Sequence, residues 1–206
     1  MNKLLLISIL SAFGLLAGCS SEQTTANKPV VNTANSTTNT TTSTANTATA
    51  PKKEEEIPAS IKAVFPDAES ITKDHKDIPK EAVADIEKDS GVKLPDTDHH
   101  SYLAFKTDGG TRKQLGAATL VKADGKDVVI VYESKDGSPF IKDVKIEGVS
   151  ADFLKQFVGK GHDSKMQIGQ DLKVNGVDEK TAKSIADAVR VDAMTMQTLY
   201  GKAHSH

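Results

Sequence analysis

The residues whose types and spacing point most directly to chemistry lie near the start of the last amphipathic segment. Thr181 and Ser184 place two hydroxyl groups three residues apart, shortly after Asp178, a residue type that commonly caps a helix. Gly176 precedes this segment and Lys180 adjoins Thr181. A helix N-terminus presents free N–H groups and a partial positive charge, which attract phosphate. Two interpretations are open: these residues bind a phosphate ligand, or Thr181 is an ordinary first-turn residue and Ser184 a packing residue.

A second set of possible ligands lies at residues 96–100. Asp96, Asp98, His99 and His100 offer the carboxylate and imidazole donors that divalent metals use. Their spacing matches no known ligand pattern, and adjacent side chains on an extended strand point to opposite faces. We therefore predict a solvated loop here and no metal site. The other histidines are His75, His162, and the tail residues His204 and His206.

Composition excludes several classes of function. The 206-residue chain has 26 Lys and Arg against 28 Asp and Glu, a net charge of −2, so it lacks the basic surface expected for nucleic-acid binding. Its single cysteine rules out an intrachain disulfide, a cysteine-based zinc site, an iron–sulfur cluster and c-type haem attachment. With no Trp and 37% hydrophobic residues, part of the chain is expected to lie outside any packed core.

The N-terminal residues predict export and lipid anchoring. Lys3 precedes an apolar run over residues 4–16, which is typical of a secretory signal peptide. The run ends Leu-Ala-Gly before Cys19 and so resembles the lipobox of bacterial lipoproteins. The resemblance implies a signal peptide at 1–18, a lipidated Cys19 and a membrane anchor, with Ser20 permitting the outer membrane. Because the anchor uses the only thiol, any redox function requires a bound cofactor.

The rest of the chain divides by composition. Residues 19–56 carry the lipidated cysteine and a Thr/Asn-rich stretch that is predicted to be a disordered tether, since it has little apolar area to bury. Residues 57–201 are predicted to form one folded domain, and 202–206 a histidine-containing tail.

Periodicity within 57–201 predicts an α+β fold. Pro58 and Pro79 open two short helices, and Gly91 ends the second. Strands are expected near 103–105, 115–121, 128–132 and 140–146, with Asp-Gly turns at 124–125 and 136–137. A short helix at 151–158 and a long one after residue 178 complete the order. We predict an antiparallel sheet meander packed with the N-terminal helices and the long C-terminal helix.

That order carries a family resemblance. Residues 128–132, the 136–137 turn and residues 141–146 resemble the central hairpin of FMN-binding domains, the extracytoplasmic flavin modules of sodium-pumping quinone reductases and related electron-transport complexes. Residues 153–160 are similar to the helix that follows in that family, and the likeness covers about 58–200. It implies an FMN cofactor and electron transfer with membrane or periplasmic redox proteins, as a carrier rather than a stand-alone catalyst.

The resemblance also assigns site residues. In covalently flavinylated members a Ser-Gly-Ala-Thr segment ends in the threonine that is esterified to FMN; Thr181 falls on that position, and Ser184 and Gly176 also fit the pattern. Residues 178–180 replace Ser-Gly-Ala: Glu179 brings negative charge to the phosphate position, and Lys180 could pair with phosphate. These departures favour non-covalent FMN, or no flavin, over attachment at Thr181. The alternative function is a flavin-free envelope lipoprotein that uses the scaffold to bind a ligand or a protein.

Overall fold

A computed structural model describes residues 56–202 of the chain. The predicted signal peptide, Cys19 and nearly all of the tether lie outside the described residues, as do the last four residues of the tail. The elements in chain order are α1 (Ala59–Val64), β1 (Ser70–Asp77), α2 (Lys80–Ser90), β2 (Asp98–Asp108), β3 (Thr111–Ala123), β4 (Lys126–Lys135), β5 (Ser138–Lys145), α3 (Ala151–Leu154), a 3₁₀ turn (Lys155–Phe157) and α4 (Glu179–Tyr200). Among the described residues, no helix combines the length and apolar character needed to span a membrane.

The five strands form one antiparallel sheet in the order β1-β2-β3-β4-β5. The last three connections are tight turns in which both central residues have positive φ: residues 109–110, 124–125 and 136–137. This conformation matches the twist of the flanking strands and explains the Gly-Gly and Asp-Gly pairs in the sequence. The predicted α+β fold with a meander sheet is thus confirmed.

Helices cover both faces of the sheet. The long α4 packs on one face, against inward residues such as Val128, Ile130 and Tyr132. The short α1 packs on the other face, where Ile61 and Phe65 join a second core cluster. The β-branched run of β4 is buried on both faces, which makes it the central layer of the domain.

The C-terminal end of α4 is hydrogen-bonded to β1 and β2, at one edge of the sheet. The Tyr200 hydroxyl hydrogen-bonds with Ser101 Oγ at 2.8 Å and donates to Asp74 Oδ2 at 2.9 Å. Lys76 donates to the carbonyl of Leu199 at 3.2 Å and lies over the Tyr200 ring. Partial burial and the Asp74 carboxylate raise the pKa of Tyr200 to about 12. These contacts hold α4 across the sheet as far as β1.

Three expectations differ in detail. The strand Ser70–Asp77 was not predicted, because its only aliphatic residue is Ile71 and the remainder is polar or charged. Residues 98–100 are not a solvated loop, since they begin β2 and His99 is buried. The helix expected over 151–158 is a single α turn followed by a 3₁₀ turn that ends at Phe157.

Candidate functional site

The start of α4 is closed by carboxylates of the chain itself. Asp178 is the N-cap, as predicted, and its Oδ1 accepts a hydrogen bond from the Thr181 amide at 2.9 Å. That bond lowers the pKa of Asp178 from its usual value. Glu179 adds a second acidic side chain in the first turn. The position that a phosphate would take therefore already carries negative charge.

Thr181 is bound locally. Its side chain is buried, with 9% of the residue exposed, and its hydroxyl donates to Asp124 Oδ2 in the β3–β4 turn at 2.8 Å. A phosphoester at this oxygen would displace that bond and bring phosphate against the Asp124 carboxylate. Lys180 is exposed on the helix surface. This arrangement supports the interpretation of Thr181 as a first-turn residue that bonds locally.

Gly176 has a conformational role. Its φ is +69°, and a Cβ placed there would lie 3.1 Å from Cβ of Ser150. Glycine accommodates both the left-handed backbone and this close approach. Ser150 itself begins α3 without a side-chain capping bond. Glycine is thus explained at residue 176 without reference to a ligand.

Ser184 differs from the other three predicted residues, because it lines a cavity of about 530 Å³. The cavity lies among β2, β3, α4 and the segments that precede and follow α2. Its apolar wall consists of Ile78, Val92, Leu94, Leu120, Val121, Ala188 and Val191. Its polar lining consists of Lys93, Asp96, Asp98, His99, His100, Lys122, Ser184, Asp187, Asp192 and Thr195. Gly176, Lys180 and Thr181 are not part of this lining.

The cavity exists because two neighbouring strands separate. Pairing between β2 and β3 runs from Ser101–Thr119 to Asp108–Thr111. Continued in the same register, His100 would oppose Leu120, but the pairing has already ended there. The first residues of β2 pair with β1 instead, and the last residues of β3 pair with β4. The sheet therefore opens at one end, and the cavity occupies this opening.

A buried carboxylate lies at the wall of the cavity. Asp192 on α4 is 3% exposed and accepts three hydrogen bonds: from Thr119 Oγ1 at 2.6 Å, from the Tyr132 hydroxyl at 2.6 Å and from His99 Nε2 at 3.0 Å. Burial and the adjacent Asp192 charge raise the pKa of Tyr132 well above its usual value, so its hydroxyl remains a donor. Three donors satisfy a charge that would otherwise be costly to bury.

His99 carries unused hydrogen-bonding capacity. Because a carboxylate can only accept, Nε2 of His99 holds the hydrogen in the bond to Asp192, and Nδ1 is the ring nitrogen left to bond elsewhere. Nδ1 is buried and has no hydrogen-bond partner among the described residues. Buried polar atoms normally have a partner. The arrangement holds an oriented imidazole in the wall of the cavity.

The sequence did not indicate this group of residues. Asp192 is 93 residues from His99, 73 from Thr119 and 60 from Tyr132. Only the expectation that His99 and His100 would face opposite ways anticipated part of it, and that expectation is confirmed: His99 bonds to α4 while His100 stacks on His75. A signal was present in Asp192 itself, an acidic residue on the apolar stripe of an amphipathic helix.

No family model, curated protein or solved structure matches this chain.

Proposed function

We propose that this chain is an exported, lipid-anchored protein whose domain binds a small ligand in the cavity between β2 and β3. The observation that carries the proposal is the largely apolar cavity itself, with the buried His99–Asp192 pair in its wall. A volume of about 530 Å³ lies within the usual range for ligand sites, which combine apolar walls with a few convergent polar groups. The hydrogen bond to Asp192 fixes the orientation of the His99 ring, as second partners do in functional sites.

The charges around the cavity indicate the chemistry of the ligand. Four aspartates line it against two lysines. Lys122 is paired with Asp127, and Asp187 with Lys183 at 2.6 Å. An anionic ligand would meet an excess of carboxylates, so a neutral or cationic molecule is favoured.

A non-covalent flavin is the second candidate. Ser184, one of the residues that the family resemblance assigns, lies in the cavity wall. An oxidised flavin ring is flat, largely apolar and uncharged, which suits a cavity with apolar walls. The FMN phosphate is less suited to the acidic lining than the ring is. Such a protein would carry one or two electrons between membrane or periplasmic redox partners, and the cofactor would supply that chemistry.

A cavity-filling variant tests the binding function. The chain has no native Trp, so Ala188→Trp both fills the cavity and introduces a single fluorophore. Nile red, a neutral flat dye, should bind the unmodified protein at one site and should lose most of that binding in Ala188→Trp. Thr198→Trp, on an exposed position of the same helix, is the matched control and should bind the dye normally. Unfolding midpoints identify any variant that fails to fold.

Two further ligands separate the candidates. If a flavin fits the cavity, riboflavin and FMN titrated into the same proteins should displace Nile red. Riboflavin should be at least as effective as FMN, because it lacks the phosphate. If Nile red binds and neither flavin competes with it, the cavity binds a small molecule but the flavin proposal is wrong. Absence of saturable dye binding, or equal binding by Ala188→Trp, would overturn the cavity proposal.

The anchor has its own test. The mature protein should partition into the detergent phase of Triton X-114, and its intact mass should include acyl chains on Cys19. Cys19→Ser should move the protein to the aqueous phase while leaving the dye binding of the domain unchanged. If Cys19→Ser still enters the detergent phase, the lipid anchor is contradicted, and the cavity proposal is unaffected.

A further inference from the structure

Two histidines and an aspartate meet on the edge of the sheet, near the mouth of the cavity. His75 on β1 is the direct cross-strand partner of His100 on β2. Asp98 precedes His100 by two residues and therefore shares its face of the strand. We call His75, Asp98 and His100 the β1–β2 cluster.

The three side chains converge on one point. His75 Nε2 lies 2.6 Å from Asp98 Oδ1, and His100 Nε2 lies 3.7 Å from the same oxygen. The two rings stack with centroids 5.1 Å apart. One ligand atom from each residue lies within 4.8 Å of the other two. Ligand atoms about 2.0–2.2 Å from a shared ion lie at most roughly 4.3 Å apart, so small side-chain rotations suffice to enclose one.

The cluster does not serve the core. The side chains of His75 and His100 are 57% and 39% exposed, and neither belongs to a hydrophobic cluster of the described residues. Two stacked imidazoles that share one carboxylate gain little stability at such exposure. The backbone pairing of β1 and β2 nevertheless holds all three on rigid elements, which is the arrangement that a ligand set requires.

We propose that the β1–β2 cluster binds a divalent transition-metal ion, with Zn²⁺ as the reference. Imidazole and carboxylate donors suit Zn²⁺, Cu²⁺, Ni²⁺ and Co²⁺. Three protein ligands leave at least one coordination position open, as in sites where the metal meets a substrate or water. Asp98 and His100 also line the cavity, so a metal held by this cluster would lie beside it. The metal site stands on its own geometry and does not depend on the ligand proposed for the cavity.

Metal titration of the full mature chain tests this site. His204→Ala and His206→Ala are introduced first, because those tail residues offer imidazoles outside the described part. Zn²⁺ binding is then measured by equilibrium dialysis with elemental analysis. One ion per chain is expected. His75→Ala and His100→Ala should each weaken Zn²⁺ binding by roughly 10–100-fold or more, because loss of even an outer-shell partner of a metal ligand costs that much. The matched control is His162→Ala, which removes an imidazole that adjoins Asp163 and should leave Zn²⁺ affinity unchanged.

Spectroscopy and a cavity variant complete the test. Co²⁺ should give a visible spectrum typical of nitrogen and oxygen ligands, and the spectrum should vanish in His100→Ala. Ala188→Trp, which fills the cavity, should still bind Zn²⁺, so failure of the cavity proposal and failure of the metal proposal are distinguishable. Zn²⁺ binding that is absent, or unchanged in the folded His75→Ala and His100→Ala variants, would overturn the metal site.

Discussion

At the scale of single residues, Asp192 is a buried carboxylate whose charge depends on hydrogen bonds from three strands. It is 3% exposed, and it satisfies donors from β2, β3 and β4. Removing one partner of a buried polar group costs more than the net value of its bonds, because the remaining groups stay unsatisfied. The carboxylate is therefore expected to contribute strongly to folding as well as to orienting His99.

We predict that Asp192→Ala lowers the free energy of unfolding by about 3–5 kcal/mol. Asp192→Asn keeps the shape of the side chain and should cost less, because its oxygen still accepts. Asp187→Ala, five residues earlier on the same helix, removes only a surface pair with Lys183 and should cost no more than about 0.5 kcal/mol. Urea unfolding measures all three. Equal losses in Asp192→Ala and Asp187→Ala would contradict the structural role of Asp192.

Tyr200 predicts how stability depends on alkaline pH. Its folded pKa is raised to about 12, whereas an unfolded tyrosine titrates near 10. Above pH ~10 the unfolded state loses this proton while the folded state keeps it, so the stabilisation is complete below about pH 10 and is lost as pH rises towards 12.

The raised pKa of Tyr132 acts in the same direction. Tyr200→Phe should flatten the fall in unfolding free energy between pH 10 and 12, measured by denaturant unfolding at each pH. The prediction fails if the variant and the unmodified protein show the same slope.

At the scale of elements, the sheet contains strands that the sequence predicts and one strand that it does not. The alternation in β3 and β5, the β-branched run of β4 and the Asp-Gly turns between these strands identify the meander, because a half-buried antiparallel strand has a period of two and a strand buried on both faces is continuously apolar. β1 has no such pattern, because an edge strand need not be apolar on either face. It carries lysines, aspartates and His75 instead. Since β1 supplies one ligand of the β1–β2 cluster, the missed strand also concealed the metal site. The cavity was equally unpredictable, because it depends on where the pairing of β2 and β3 stops.

Gly116 on β3 lies close to the backbone of β4. A Cβ at this position would lie 2.8 Å from the carbonyl oxygen of Tyr132 on β4 and 3.4 Å from the Phe65 ring. Backbone cannot move aside as a side chain can. We predict that Gly116→Ala costs about 1–3 kcal/mol in urea unfolding.

A double variant identifies the cause. If the Tyr132 carbonyl is responsible, Phe65→Leu should not rescue Gly116→Ala, and the two losses should add. A strong rescue by Phe65→Leu would instead assign the cost to the ring.

At the scale of the whole molecule, the described residues form a core within the domain that the sequence predicts to begin at residue 57. Its described elements run from Ala59 to Tyr200, and its two main clusters lie on either side of one sheet. A protein from residue 57 to 206 should therefore unfold at the same temperature as the mature chain from Cys19, within about 2 °C, with the same calorimetric enthalpy. A lower midpoint for the shorter protein would show that residues 19–56 contribute to the fold.

The strand order has a consequence for how the chain reaches this structure. Each strand pairs only with its neighbours in sequence, so most of the sheet can form through short loop closures at low entropic cost. The contact of Tyr200 with Asp74, by contrast, spans 126 residues. In a chain that emerges N-terminus first, all five strands are available for pairing before α4 is. We therefore expect the docking of α4, which brings Asp192 to the hydroxyls of Thr119 and Tyr132, to be a late step that completes both the core and the cavity.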